Sequence, residues 1–248
     1  MLNLIDMNIT RLFKTKAFYV TAVLTFASLF LLAFFVGGMD FAQVIDGAAV
    51  GLCLSMIGIF AAIYSDEERK SGFLKNLETS KEKKGNVFLA KIPVMALYSL
   101  VLMIVSVIAG AIGLLKSPEA FASLNIANAL IFFVIQLILI TAFGVGFMAI
   151  YEMGRGLVAP IVASIMLSNG FHVMIIQALA NKLVQMIPAL GPVFEKLPPT
   201  TFQIVTLSKS INMLGEDCPY IQALLVGIIL FVVYAFIGSS VFRKRDTF

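Results

Sequence analysis

Residues able to carry covalent or proton chemistry are few in this chain, and they are scattered. Fourteen Asp and Glu residues, one histidine (His172) and two cysteines (Cys53 and Cys218) are spread over 248 positions. The order of residues offers no Ser/His/Asp set, no HExxH zinc pair and no GxxxxGK[S/T] phosphate loop. Two isolated cysteines give neither metal spacing nor a disulfide framework, and read as buried or incidental thiols. No acidic residue falls inside a central apolar stretch, whereas a carrier driven by protons or sodium needs a buried carboxylate. His172 does lie within such a stretch, near Ser168 and Asn169. His172 and Asn169 form a candidate polar site, in which a neutral imidazole bonded to a neighbouring helix is preferred over a proton relay.

The elements that must position these groups follow from where charge is missing. The chain is 60% hydrophobic and 13% charged, with a mean hydropathy of +1.00. A soluble domain carries nearly twice that charge. Six stretches of nineteen or more residues contain no charge at all. Crossing a bilayer core about 30 Å thick takes roughly 20 apolar helical residues. A soluble enzyme, a disulfide scaffold and a disordered chain are excluded. The expected spans are residues 17–36, 47–65, 92–115, 126–151, 156–181 and 220–242. Ser123, Asn125 and Asn128 form an interfacial lead-in to the fourth. Hydrocarbon cannot satisfy bare backbone groups, and nothing here alternates as a barrel lumen would, so all six are expected to be helices. The fold class is an all-α polytopic membrane protein, one permease-sized domain over residues 1–248. Pro160, one turn into the fifth span, is expected to kink it. The first stretch is too long for a signal-peptide core and is expected to remain as a span.

Lysine and arginine set the orientation. With a cytoplasmic N-terminus, the inner segments hold fourteen basic residues, and the outer ones hold only Lys116, Lys182, Lys196 and Lys209. Both termini then face the cytoplasm. Tyr19, Tyr64 and Tyr151 anchor the inner boundary and Tyr220 the outer. The net charge of +4 reflects this asymmetry and carries no reading of nucleic acid.

Between the spans, residues 1–16 read as an amphipathic interfacial helix. Leu2, Ile5, Ile9, Leu12 and Phe13 lie on one side, with Asn3, Asp6, Thr10, Arg11 and Lys14 on the other. Residues 66–91 are the most polar part. Within them Phe73, Leu74 and Leu77 make an apolar face too small for its own core, so the segment either docks on a partner or folds onto its own span ends. Glu152 and Arg155 are spaced to pair across a tight turn. Residues 182–219, rich in proline and apolar residues, read as short helices resting on or dipping into the outer leaflet. Small residues such as Gly51, Ser55 and Gly58, and Gly110 with Gly113, let helices approach closely, within the chain or across a dimer seam. With no internal repeat, an inverted-repeat carrier gains no support.

An amphipathic N-terminal helix, two spans, a charged cytoplasmic helix, three spans, an apolar outer segment, a last span and a tail ending Phe242-Arg243-Lys244-Arg245-Asp246 together resemble the permease subunit of type-2 ABC transporters. That class includes drug, polysaccharide and antimicrobial-peptide exporters. The most specific piece is Glu68-x-x-x-Gly72-x-Leu74-x-x-Leu77, followed by Lys91 at the third span. It is similar to the coupling helix that seats in a cleft of the ATPase subunit. The resemblance implies ATPase-coupling roles for Glu68, Gly72, Phe73, Leu74 and Leu77. It also implies no cofactor in this chain, with ATP and magnesium held by a cytoplasmic ATPase partner. A second permease copy or a sister permease, a lipid bilayer and no nucleic acid complete the expected surroundings, in a bacterial cytoplasmic membrane. Where the family often has Ser-Arg near the third span, this chain has Lys83-Lys84-Gly85-Asn86. The implied function is ATP-driven export of a hydrophobic or amphipathic substrate, with no enzyme activity in this chain. The alternatives are a membrane scaffold or sensor subunit that recruits a cytoplasmic protein, and a secondary carrier.

Overall fold

In the computed structural model, the described residues are 2–36, 39–71, 84–122, 124–169, 171–188 and 220–244. Among them every regular element is helical. Helix α1 (Leu2–Lys14) leads through Thr15 into α2 (Lys16–Phe35). Helix α3 (Phe41–Gly47) continues through a π-helical turn (Ala48–Cys53) into α4 (Leu54–Lys70). Then come α5 (Lys84–Leu89), α6 (Ile92–Gly113), a 3-10 turn (Pro118–Phe121), α7 (Ile126–Gly154), α8 (Val158–Ser168), α9 (Phe171–Met186) and α10 (Tyr220–Arg243). Among the described residues, five helical stretches are long and apolar enough to cross a membrane: Lys16–Phe35, Phe41–Lys70, Gly85–Gly113, Ile126–Gly154 and Leu224–Arg243.

Several element boundaries differ from the sequence expectation, each for a physical reason. The second crossing begins at Phe41, where the Gln43 side chain accepts the Asp40 N–H at 3.2 Å, and runs to Lys70. Asp46 therefore lies inside a helix, and Asp66, Glu67 and Glu68 belong to its last turns instead of a separate cytoplasmic helix. At 1.5 Å per residue, the stretch is about 45 Å long, more than the hydrocarbon alone requires. The fifth expected span is divided. Helix α8 ends at Ser168, the Asn169 side-chain amide donates to the Ile165 carbonyl at 2.8 Å, and α9 starts at Phe171. Pro160 sits in the first turn of α8, where no N–H partner is lost, so it starts the helix and does not kink it. Of the expected cytoplasmic helix, residues 72–83 lie outside the described residues, as does the outer segment 189–219.

The helices pack as two pairs, α2 with α6 and α7 with α10, which meet directly along α6 and α7. Helix α2 lies along α6, burying Ala17, Phe18, Thr21, Thr25, Leu29 and Ala33, a stripe repeating every three or four residues. Helix α7 lies along α10, and α4 bridges the pairs while also carrying α8. Helix α1 buries Leu4, Asn8 and Leu12 against the bundle, leaves Phe13 exposed and half-buries Ile5, Ile9 and Arg11. Its inward stripe is thus rotated from the purely apolar one expected, because Asn8 has a hydroxyl partner inside.

The small residues settle into seams within the chain. Gly58 of α4 faces Ser164 of α8 so closely that an added Cβ would overlap the serine side chain. One turn away the Ser55 and Ser168 hydroxyls bond at 2.7 Å. Gly113 likewise lets α6 approach Ala33 and the Phe30 carbonyl of α2, and Gly238 of α10 lies against the Phe88 ring. Lipid offers no hydrophobic drive for helices to associate, so close packing and such hydroxyl pairs hold them together. Overpacking of this kind costs about 1–3 kcal/mol. Gly58→Ala is expected to lower the unfolding temperature of the detergent-solubilised protein by that equivalent, and Ser164→Gly in the same chain to recover most of it. An unchanged melting curve for Gly58→Ala would show that the two helices do not meet there.

Candidate functional site

The antiparallel run of α4, α6 and α7 brings three span ends to one level. Glu68 stands in the last turn of α4, Lys91 is the residue just before α6, and Glu152 lies in the last turn of α7. Their side chains are 1%, 0% and 5% exposed. The Lys91 ammonium is in direct ion contact with the Glu68 carboxylate and lies 3.4 Å from Oε1 of Glu152. Arg11 of α1 brings its guanidinium to 3.6 Å from the other Glu68 oxygen. Two cations thus meet two anions in one largely buried cluster among the described residues.

Aromatic and amide groups build the walls. The Tyr64 hydroxyl, one turn before Glu68, donates to Asn8, lying 3.1 Å from its Oδ1 and 3.2 Å from its backbone carbonyl oxygen. The Arg11 guanidinium lies 4.9 Å from the centre of the Tyr64 ring, and Lys91 lies 5.0 Å from the centre of Phe242. Phe242, in the last turn of α10, packs on Phe88 of α5. The cluster therefore ties together α1, α4, α5, α6, α7 and the end of α10.

A second, more open group lies beside it. Asp66 accepts hydrogen bonds from the Tyr151 hydroxyl at 3.0 Å and from Arg69 at 3.2 Å, and pairs with Lys70 at 2.6 Å. Arg69 also donates to the backbone carbonyl of Arg155 at 3.2 Å. Arg155 ends α7 in the left-handed conformation, with φ of 51°, so the tight turn is closed from outside by a residue of α4. The expected partner of Glu152 was Arg155; the structure turns Glu152 inward, onto Lys91.

Of the residues singled out in the sequence, Glu68 lies in the buried cluster, and Gly72, Phe73, Leu74 and Leu77 lie outside the described residues. Asn169 is exposed and bonds its own helix, and His172 belongs to α9, with its side chain outside what is described. Cys53 is buried, its sulfur 3.2 Å from the Ser106 hydroxyl. Among the described residues no three His, Cys, Asp or Glu side chains come together to hold a metal ion. Sequence reasoning missed the joint role of Arg11, Lys91 and Glu152. A signal was present: Glu68, Lys91 and Glu152 each flank an uncharged stretch on the same expected side, at matching depth.

At the other end of the bundle α3, α6 and α7 line a cavity of about 330 Å³ whose walls are apolar, among them Phe41, Ile45, Ile104, Phe132 and Phe133. No reacting group faces it.

The charge cluster fastens the ends of α1, α4, α6 and α7 together. Removing one partner of a buried pair strands the other in low dielectric and costs about 3–5 kcal/mol. Lys91→Met should accordingly destabilise the solubilised protein far more than Lys70→Met, whose side chain is mostly exposed. Comparable unfolding temperatures for the two variants would rule out a buried pairing at Lys91.

The model of a protein family described as ABC-2 family transporter protein matches residues 4–171. That stretch contains Arg11, Glu68, Lys91 and Glu152. No curated protein matches the chain. A match over about two thirds of the chain, on a helical bundle with these crossings, shows that the chain belongs to the ABC-2 family of transporter proteins, as the membrane subunit of an ABC transporter.

Proposed function

We propose that this membrane subunit exports a hydrophobic or amphipathic substrate, of the kind represented by antimicrobial peptides and drugs. Energy comes from ATP and magnesium bound by a separate cytoplasmic ATPase subunit. The observation that carries the reading is the family match in a chain whose sequence contains no phosphate-binding loop. Two further features support it. Apolar lining of the cavity between α3, α6 and α7 suits cargo with a hydrocarbon or aromatic surface. Phe73, Leu74 and Leu77 give the polar segment 72–83 an apolar face that a partner's cleft would cover.

In this reading Gly72, Phe73, Leu74 and Leu77 meet the ATPase, while Glu68, buried at the loop's base, holds the segment in place. Two permease chains, identical or sister, pair in the bacterial cytoplasmic membrane with both termini inside. Closure of two ATPase subunits on ATP pushes the two loops and rocks the spans. Asn169 and His172, flanking the division between α8 and α9, are assigned a polar contact within the membrane.

Two measurements test the reading. In a chain with Cys53 and Cys218 replaced by alanine, single cysteines at Lys81 and Lys196 should react with an impermeant maleimide from opposite sides of intact cells. Equal labelling from outside would reject the orientation. Burying one leucine contributes about 1.5–3 kcal/mol, so losing two should weaken docking by two decades or more. Leu74→Asp with Leu77→Asp is therefore expected to insert normally and to lose the ATPase subunit on pull-down. Full recovery of the ATPase with that double variant would make segment 72–83 a solvated loop.

A further inference from the structure

The cavity between α3, α6 and α7 is walled by hydrocarbon, but the face of α7 that lines it does not stay apolar. Ala129, Phe132 and Phe133 form its wall on that helix. Gln136 is the next residue of the same stripe, three and four positions on from the two phenylalanines and so one turn deeper. It is only 4% exposed, and its Oε1 is buried without a hydrogen-bond partner. Nearby hydroxyls settle their needs locally: Ser99, Ser106 and Thr141 each donate to the carbonyl one turn back along their own helix. An amide oxygen can only accept, and the N–H groups of a helix interior are already taken. Leaving that oxygen bare in an apolar interior is costly, whereas a leucine there would carry no such cost. The cavity therefore leads down to a group that wants a donor.

The mouth of the cavity says where an occupant comes from. Ile104, Ile108, Ile126 and Leu130 line it and are also exposed on the flank of the bundle. It thus opens sideways, on a surface that spanning helices present to lipid. An acyl chain of the bilayer could fill the apolar part, but it brings no donor for Gln136. A binding site immersed in hydrocarbon needs some means of refusing its own solvent, and an unpaired buried acceptor penalises every occupant that cannot satisfy it. At about 330 Å³, the space suits an aromatic or branched aliphatic body.

We propose that this cavity binds a membrane-dissolved molecule that carries an N–H or O–H group on an aromatic or branched aliphatic body, with Gln136 Oε1 accepting that donor. Gln136 then separates such cargo from the acyl chains around it. The identity of the occupant as cargo rests on the export reading above; the binding itself does not.

The experiment compares 2-naphthol with 2-methylnaphthalene, which share a ring body and differ in a hydroxyl against a methyl group. Each is titrated into the full chain in lipid nanodiscs, with its concentration in the lipid fixed from empty nanodiscs, and affinity is read from the rise in unfolding temperature. The wild-type chain should bind 2-naphthol about fivefold more tightly than 2-methylnaphthalene, the gain from one net hydrogen bond. Gln136→Leu should erase that preference and, without any probe, should unfold at a higher temperature than wild type because no amide oxygen is left bare. Gln136→Met is the second variant should Gln136→Leu fold poorly, and should also lose the preference. Ala129→Leu, which fills the cavity, should abolish binding of both probes. Equal affinities for the two probes in wild type, unchanged in Gln136→Leu, would overturn the part given to Gln136 and leave a cavity open to any hydrocarbon. Binding of both probes that survives Ala129→Leu would show that the cavity takes neither, and would overturn its reading as a cargo site as well.

Discussion

A lysine ammonium shut away from water and shared by two carboxylates is the constraint on which the rest of this bundle depends. Its three span ends must arrive at one depth, or a charge is left unpaired where the cost is several kcal/mol. Lengths of the helices then matter in a way that hydropathy does not express. Helix α4 runs past the hydrocarbon to Lys70 so that Glu68 reaches Lys91, and α7 runs to Gly154 so that Glu152 does. Arg11 completes the neutralisation from outside the bundle, which is why α1 lies against Tyr64 and Glu68 and not only on the bilayer surface.

Around that fixed level, shape does the remaining work. In a bilayer the helices gain nothing by hiding from an apolar solvent, so their contacts must be close enough for dispersion and short hydrogen bonds to count. Glycines at 58, 113, 144 and 238 sit against bulkier or polar neighbours on facing helices, and serines 55, 164 and 168 add hydroxyl contacts. These seams set α4 against α7 and α8, while α6 and α7 join the two helix pairs directly.

The polar end and the apolar end divide the tasks. The basic end gathers the charge cluster, the Asp66–Tyr151–Arg69 group and both flanks of segment 72–83. The opposite end offers a cavity walled by Phe, Ile, Leu, Val and Ala side chains. The charge cluster and the cavity thus lie at opposite ends of helices about 30–45 Å long.

How much of this was legible beforehand is clear from particular residues. The helical membrane class and the cores of most spans follow from uncharged runs such as 17–36 and 92–115, because the length of apolar helix needed to cross hydrocarbon is fixed by the bilayer. The end of α8 at Ser168 was not legible, since hydropathy continues through residues 170–181. Nor was the place of Glu68: local spacing put it on a cytoplasmic helix, while antiparallel packing put it under Lys91. The same packing turned Glu152 inward and made Ser55 and Gly58 a seam with α8. Sequence by itself determined the solvent of this protein and the end of the bundle at which its charges gather, because both depend on composition along the chain. Which charges meet, and which glycines touch which helices, was decided only by tertiary structure, because partners such as Arg11 and Glu68, Ser55 and Ser168, and Phe88 and Gly238 lie 57, 113 and 150 residues apart and are chosen by depth and rotation in the bundle.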